Sequence, residues 1–196
     1  MLRPASPPAR RKLPNQVRII GGLWKRTKLD VPDRPGLRPT PDRVRETLFN
    51  WLGQDLAGWR CVDAFAGTGA LGLEAASRGA ADVLLVESDG ALADALRAVA
   101  QRLHAANVRV QRGNALTVLA GLGAGSADLV FLDPPFDADL FDKALAAALP
   151  AIAPQGLIYL EAPTVWGSEA LARHGLQVVR HLKAGAVHGH LLRRTA

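Results

Sequence analysis

Residues 61–72 read Cys61-Val62-Asp63-Ala64-Phe65-Ala66-Gly67-Thr68-Gly69-Ala70-Leu71-Gly72. The first five residues are typical of a buried strand, and the residues after the glycines are typical of a helix that Gly79 ends. Glycines between a strand and a helix let the main chain turn sharply and approach a ligand without a Cβ atom in the way. The spacing Gly-x-Gly-x-x-Gly also occurs in purely structural turns, but its place between strand and helix favours a nucleotide-like ligand.

The same alternation of strand and helix continues towards the C-terminus. Further strands are predicted at 82–87, 108–111, 127–133 and 156–161, with helices at 90–105 and 139–149. The last two predicted strands, 176–182 and 186–193, form a hairpin around Ala184-Gly185. Strands that alternate with helices indicate an α/β fold, a mostly parallel sheet with helices on both faces. The hairpin should add an antiparallel strand at or near one edge.

The first third of the chain differs from the rest in composition and charge. Residues 1–16 are rich in proline and arginine and predict a flexible basic arm. Residues 17–59 predict an extension with a small hairpin at Gly21-Gly22 and a helix starting at Thr40-Pro41, and residues 60–196 predict the main domain. Residues 1–60 carry 13 Lys and Arg against 5 Asp and Glu, whereas residues 61–196 carry 11 against 13. Such a basic segment is either a solubilising tail or a surface for a polyanion.

Several classes of protein are disfavoured by composition. The one cysteine, Cys61, permits no intrachain disulfide and suits a reducing cytoplasm. No apolar run is long enough to span a membrane, and no secretory signal follows the basic N-terminus. His188 and His190 share a predicted strand but have no recognisable partner ligands for a metal. We therefore expect a cytoplasmic monomer without a membrane or metal partner.

Two acidic residues indicate which nucleotide the glycine loop binds. Glu87 ends the next predicted strand, where an acid can bind both ribose hydroxyls of an adenosine. A dinucleotide would place its pyrophosphate at the helix N-terminus, where Asp63, four residues before Gly67, would be poorly placed. S-adenosylmethionine has no phosphate, and its ammonium and sulfonium groups suit that carboxylate. The loop thus favours S-adenosylmethionine, with a nicotinamide-dependent oxidoreductase as an alternative.

The second informative segment is Asp133-Pro134-Pro135-Phe136, which follows the predicted strand 127–133. Ligands of open α/β sheets bind at the carboxyl ends of the strands, so this loop should border the same cleft as the glycine loop. Two prolines remove backbone donors and restrict the chain. A base amino group could then donate one N–H to Asp133 and the other to the Pro134 carbonyl, while Phe136 stacks on the base. A proline-rich turn without function is the alternative interpretation of this segment taken alone.

With these motifs in place, the chain resembles the bacterial small-subunit (16S) ribosomal RNA guanine-N2-methyltransferases, from about Val17 to Arg194. The similarity rests on the glycine loop, on Asn114-Ala115, on the Asp-Pro-Pro-Phe segment, and most specifically on Arg18-Ile19-Ile20-Gly21-Gly22, Arg38-Pro39-Thr40 and the stretch from Arg43 to Leu52. The resemblance implies a Rossmann-like class I methyltransferase fold of seven strands with a short N-terminal extension. It also implies that Asn114 approaches the adenine ring of the cofactor.

The expected site has three groups of residues. The catalytic group is Asp133, Pro134, Pro135 and Phe136. The group expected to bind S-adenosylmethionine is Asp63, Phe65, Gly67, Thr68, Gly69, Glu87, Asn114 and Ala115. The group expected to contact RNA in a small ribosomal subunit is Arg18, Lys25, Arg26, Arg38, Arg43 and Arg45, with Arg43 and Arg45 directed away from the apolar face of Val44, Leu48 and Leu52.

Three other functions remain open at this point. A DNA adenine methyltransferase would share the catalytic loop, but it usually needs a sizeable target-recognition domain, for which 196 residues leave little room. The oxidoreductase would leave the Asp-Pro-Pro-Phe segment without a role. A non-catalytic RNA-binding assembly factor would retain the fold without needing the intact loop.

Overall fold

The computed structural model describes residues 16–32, 34, 40–136 and 140–195 of the chain. The predicted basic arm, except for Gln16, and the predicted RNA contact Arg38 lie outside the described residues. The strands are β1 Gln16–Arg18, β2 Lys28–Asp30, β3 Arg60–Asp63, β4 Asp82–Glu87, β5 Val108–Arg112, β6 Ala127–Leu132, β7 Ile152–Ala162, β8 Leu176–Ala184 and β9 Val187–Arg194. The helices are α1 Asp42–Trp51, α2 Ala70–Ser77, α3 Gly90–Arg102, α4 Ala115–Ala120, α5 Phe141–Ala148 and α6 Ser168–Ala172.

Seven of these strands form one sheet in the order β5-β4-β3-β6-β7-β9-β8. Strands β3 to β7 are parallel, and β9 is antiparallel to both of its neighbours, β7 and β8. This confirms the predicted class I architecture and the terminal hairpin. The chain leaves β3 towards β4 and β5 and then returns to build β6 and β7 on the other side. The gap between the carboxyl ends of β3 and β6 is therefore the topological switch point, where ligands bind in such sheets.

Alternate residues of the strands supply two separate cores, one on each face of the sheet. On β6, Leu129 and Phe131 belong to one cluster, while Val130 and Leu132 belong to the other. The first cluster is completed by apolar side chains of α1, α2 and α3, and the second by those of α4, α5 and α6. The predicted helices on both faces are thus confirmed. None of the described helices is long and apolar enough to cross a lipid bilayer.

The N-terminal hairpin predicted at Gly21-Gly22 is present and is attached to α2. Its strands β1 and β2 pair antiparallel. The backbone N–H groups of Ile20 and Gly21 each donate to a carboxylate oxygen of Glu74 at 2.7 Å, and the Ser77 hydroxyl donates to the Gly21 carbonyl at 2.6 Å. Because α2 starts directly after the glycine loop, these bonds tie the hairpin to the same helix that carries that loop.

The start of α1 differs from the prediction. The helix begins at Asp42, and its cap position is Pro41, which makes no side-chain cap hydrogen bond. Thr40, predicted to cap the helix, is buried instead. Its backbone carbonyl accepts a hydrogen bond from Arg45 Nε at 3.2 Å. Thr40 therefore lies in the interior of the protein, where Arg45 of α1 holds its carbonyl.

Candidate active site at the carboxyl ends of the strands

The glycine loop runs from the end of β3 into α2 as predicted. Gly67 and Gly69 have φ values of +52° and +77°, in the left-handed region that favours glycine. The N–H of Gly69 donates to the Ala66 carbonyl at 2.6 Å, which closes the turn. Phe65 is half-buried and Thr68 is buried in the same loop. All five predicted cofactor residues that follow or end β3 are thus brought together.

Four carboxylates end four neighbouring strands in spatial order: Glu87 on β4, Asp63 on β3, Asp133 directly after β6, and Glu161 on β7. The register places them on one face of the sheet, since Asp63 lies opposite both Leu85 and Phe131, and Leu132 lies opposite Leu160. This is the face that α1 and α2 cover. Four acidic groups at one edge make a site that suits a cationic ligand.

The Glu87 side chain is hydrogen-bonded to the glycine loop. Its Oε2 accepts a hydrogen bond from the Gly67 N–H at 2.9 Å, and its Oε1 accepts one from the Asp89 N–H at 2.8 Å. The side chain is only half-buried and keeps further lone pairs for a ligand hydroxyl. This arrangement places the predicted ribose-binding acid next to the predicted loop.

Asp63 is the most buried of the four acids, with 2% of its surface exposed. Its Oδ2 accepts a hydrogen bond from the Gly72 N–H at 2.9 Å. Burial raises the pKa of this carboxyl to about 7, helped by the negative charges of Glu87 and Glu161 and opposed by the Gly72 hydrogen bond. A cationic group bound beside Asp63 would stabilise its ionised form.

Asn114 and Ala115 lie at the same edge, two strands away from β3. They follow β5, where Asn114 caps α4 and its Oδ1 accepts a hydrogen bond from the Thr117 N–H at 3.1 Å. The predicted cofactor residues therefore lie on one side of the switch point, after β3, β4 and β5. The Asp-Pro-Pro-Phe segment lies on the other side, after β6.

The Asp-Pro-Pro-Phe segment presents a carboxyl and an aromatic ring at this edge. Asp133 is half-buried, Pro134 is buried, and Phe136 is 38% exposed. The pKa of Asp133 is raised well above its ordinary value, first by burial and then by the negative charges of Glu161 and Asp63. A raised pKa makes this carboxylate a stronger proton acceptor than one at the protein surface.

Aromatic rings continue outwards from Phe136. Its ring centroid is 6.3 Å from that of Phe141, which in turn is 6.1 Å from that of Trp166. The Trp166 side chain is half-buried and packs against the core cluster that α4, α5 and α6 complete. The sequence contains a signal for the place of Trp166 beside these rings. Trp166 follows the carboxyl end of β7, where ligand-binding loops lie.

The basic residues divide into exposed and buried ones. Arg18, Lys25, Arg26 and Arg43 are exposed, on the hairpin and on α1. The prediction for Arg45 is wrong, because this side chain is 0% exposed and cannot contact RNA. Its Nη2 lies 2.7 Å from Asp42 Oδ1, and its Nη1 lies 3.3 Å from Glu74 Oε2. The buried stripe of α1 is wider than the predicted one and includes Arg45 and Phe49 beside Val44 and Leu48.

The histidines of the terminal hairpin contact one another and the segment after β7. His188 and His190 are both buried, and His190 Nε2 accepts a hydrogen bond from the Trp166 N–H at 3.1 Å. His188 Nδ1 lies 3.0 Å from Nε2 of His181. Within the part of the chain that the structure describes, no three His, Cys, Asp or Glu side chains are grouped to hold a metal ion.

Comparison with known proteins agrees with this geometry. The family described as "conserved hypothetical protein 95" matches residues 17–193. The ribosomal RNA small subunit methyltransferase D of Escherichia coli (strain K12) is 46% identical over 166 residues, covering 81% of this chain and 83% of the relative. The Haemophilus influenzae protein of the same name is 40% identical over 151 residues, covering 74% and 78%.

A solved structure extends the similarity to the fold. The putative methyltransferase yhhF from Escherichia coli superimposes with a TM-score of 0.78 at 41% identity, covering 92% of this chain and 99% of that one. The family model, over residues 17–193, covers nearly all of the N-terminal hairpin and of the seven-stranded sheet. The chain therefore belongs to this family of small-subunit ribosomal RNA methyltransferases, within the class I methyltransferase superfamily.

Proposed function

We propose that this protein transfers a methyl group from S-adenosylmethionine to the exocyclic 2-amino group of a guanine in small-subunit ribosomal RNA, within an assembling or assembled particle. The observation that carries the proposal is the meeting of the glycine loop and Asp133-Pro134-Pro135-Phe136 at the switch point of the sheet. The names of the relatives support ribosomal RNA as the substrate class. The Asp-Pro-Pro-Phe loop offers a carboxylate and a carbonyl that suit the two N–H groups of a base amine. This supports a base amino group as the acceptor of the methyl group.

The residues present fit S-adenosylmethionine better than a dinucleotide. The edge of the sheet carries four acidic side chains, those of Asp63, Glu87, Asp133 and Glu161. These acids would repel the negative charge of a pyrophosphate and attract the positive charge of a sulfonium or an ammonium group. In the proposed complex, Asp63 and the loop from Phe65 to Gly69 hold the methionine part, Glu87 binds the ribose, and Asn114 and Ala115 border the adenine. When bound, S-adenosylmethionine supplies an electrophilic methyl group on a good leaving group.

The catalytic residues act mainly by holding the acceptor amine. Its lone pair is delocalised into the base, so the nitrogen is a weak nucleophile. The Asp133 carboxylate accepts one amine N–H and the Pro134 carbonyl accepts the other, which turns the lone pair out of conjugation. Phe136 stacks on the base, a contact typically worth roughly 1–3 kcal/mol. Positioning and preorganised electrostatics then supply most of the rate enhancement.

We further propose that residues 17–59 form an RNA-binding extension of a methyltransferase domain at 60–196. Arg18, Lys25, Arg26 and Arg43 are exposed and would neutralise phosphates, whereas Arg45 is not part of this surface. The bonds from Glu74 and Ser77 to the hairpin support a fixed distance between this surface and the glycine loop.

Calorimetry combined with a methyl-transfer assay tests the proposal. The wild-type protein should bind S-adenosylmethionine and not NAD. Asp133→Ala should keep cofactor binding and lose methyl transfer to small ribosomal subunits. Asp94→Ala is the matched control, since Asp94 is an exposed acid on α3 that pairs with Arg97. Saturable binding of NAD, or full turnover by Asp133→Ala, would refute the proposal.

A further inference from the structure

Glu161 is a buried acid that the proposed mechanism does not yet use. It lies at the carboxyl end of β7 and has 3% of its surface exposed. Leu132 and Leu160 lie opposite each other in the parallel pairing of β6 and β7, so the next residues along, Asp133 and Glu161, follow side by side on the same face. The carboxyl group of Glu161 therefore lies next to Asp133, the residue proposed to hold the acceptor amine.

Glu161 is held in place by other buried groups. The Tyr159 hydroxyl donates to Glu161 Oε1 at 3.0 Å, and Tyr159 itself is fully buried. From the N-terminal segment, Thr40 contributes a hydrogen bond and Arg45 a positive charge that stabilise the ionised form of Glu161. Arg45 is in turn fixed by Glu74 on α2 and by Asp42. From β3, Asp63 adds a negative charge that acts on Asp133.

We propose that Glu161 is a positioning residue that makes Asp133 basic enough to accept the proton that the guanine amine releases. This inference rests on the proposed function, because it assumes that Asp133 holds the acceptor amine. In the reaction, the nitrogen–methyl bond forms as the sulfur–methyl bond breaks. One N–H bond of the amine then breaks, and its proton moves to the Asp133 carboxylate, which leaves a neutral methylated amine.

Burial is the largest cause of the raised pKa of Asp133, and the repulsion between its carboxylate and that of Glu161 adds to it. Burial raises the pKa of Glu161 to about 7, while the hydrogen bonds from Thr40 and Tyr159 and the charge of Arg45 oppose that rise. The negative charge of Glu161 in turn raises the pKa of Asp133. A base is most effective when its pKa lies near the working pH, so this coupling favours proton transfer at neutral pH. In such a coupled pair, the two apparent pKa values describe the pair and not one residue each.

The test is the pH dependence of kcat at saturating S-adenosylmethionine, with small ribosomal subunits as substrate. Activity needs ionised Asp133, so kcat should fall as the pH decreases through the pKa of that group. Glu161→Gln removes the negative charge beside Asp133. The acidic limb of its profile should move to lower pH by about 1 unit, and kcat on the plateau should fall about 10-fold because Asp133 is then a weaker base.

A second variant and a matched control separate this effect from loss of stability. Tyr159→Phe removes the hydrogen bond that stabilises ionised Glu161, so its acidic limb should move in the same direction by less. Asp128→Asn is the control, because Asp128 lies at the opposite end of β6 and pairs with Arg60 at the surface. It should lower stability without moving the limb.

The outcomes distinguish the inference from the proposed function. A wild-type protein that does not methylate guanine would refute the function. A wild-type protein that does so, with the acidic limb unmoved in both Glu161→Gln and Tyr159→Phe, would refute the role of Glu161. If Glu161→Gln does not fold, Tyr159→Phe alone decides.

Discussion

Arg45 and Glu74 form an ion pair inside the protein, with 3.3 Å between Nη1 and Oε2 and neither side chain exposed. Glu74 also accepts hydrogen bonds from Arg78 at 2.8 Å and from the hairpin residues Ile20 and Gly21. One carboxylate on α2 thus joins the helix α1 and the N-terminal hairpin to the helix that follows the glycine loop. The arginines of α1 suggest an RNA-binding helix, but one face of this helix stabilises the fold.

This pairing predicts opposite effects for two neighbouring arginines. Arg45→Ala leaves Arg78 as a remaining partner of Glu74 but removes a buried ion pair and its hydrogen bonds, so it should lower the free energy of unfolding by roughly 1–3 kcal/mol. Arg43→Ala, at an exposed position, should change it by less than about 0.5 kcal/mol while weakening RNA binding. Urea unfolding and RNA titration of both variants measure this. Equal stability of the two variants would contradict the buried role of Arg45.

Local pattern explains why most of the fold could be predicted from the sequence and why Arg45 could not. The seven strands and the switch point follow from apolar runs and turns that each lie within a few residues. Helices α4 and α6, with six and five residues, are too short to show a helical period and were not predicted. Arg45 is buried because Glu74, 29 residues later, meets it in space.

The candidate site, too, could be predicted only where its residues form local motifs. The glycine loop and the Asp-Pro-Pro-Phe segment carry recognisable motifs, and the structure brings them to one edge. Glu161 and Tyr159 carry no motif and were not predicted. The available signal was an acid at the end of a predicted strand, the same feature that drew attention to Glu87.

Salt dependence tests the proposed RNA surface. If Arg18, Lys25, Arg26 and Arg43 each neutralise a phosphate, RNA affinity should fall steeply with added salt. Each alanine substitution should reduce the slope of log affinity against log salt by about 0.7–0.9. Arg109, an exposed arginine on β5 paired with Asp82, provides the control substitution. A slope unchanged by all four substitutions would remove the hairpin and α1 from the interface.

Cofactor affinity tests the glycine loop and Glu87. Glu87→Ala loses an acceptor for the ribose and also frees the N–H groups of Gly67 and Asp89. We expect S-adenosylmethionine affinity to fall about 10- to 100-fold by calorimetry. Gly67→Val should also bind more weakly, since valine is strained at a positive φ. Glu169→Ala, at an exposed acid on α6, should bind normally. Unchanged affinity in Glu87→Ala would place the cofactor elsewhere.

The buried acid Asp63 should make the cofactor-free protein less stable as the pH rises. Its pKa is about 7 in the folded protein against an ordinary value of 3.8, so the folded state binds more protons between these values. The contribution of Asp63 to stability is therefore complete below pH 3.8 and is lost as the pH rises through about 7.

Replacing Asp63 with asparagine removes this penalty. Asp63→Asn should raise the free energy of unfolding at pH 8 by roughly 1–3 kcal/mol and flatten its pH dependence, while weakening S-adenosylmethionine binding. Urea unfolding at pH 5 and pH 8, with and without cofactor, measures these changes. A variant that is less stable than the wild type at pH 8 would show that Asp63 serves the fold rather than the ligand.

The central claim is that the Asp-Pro-Pro-Phe loop directs methyl transfer to a guanine amine in ribosomal RNA. The most direct measurement is incubation of unmethylated small ribosomal subunits with labelled S-adenosylmethionine, followed by nuclease digestion and mass mapping of the modified base. The account predicts a single added methyl group on the 2-amino group of one guanine, absent with Asp133→Ala. Label on a different base, or no label on the RNA while the cofactor binds, would contradict it.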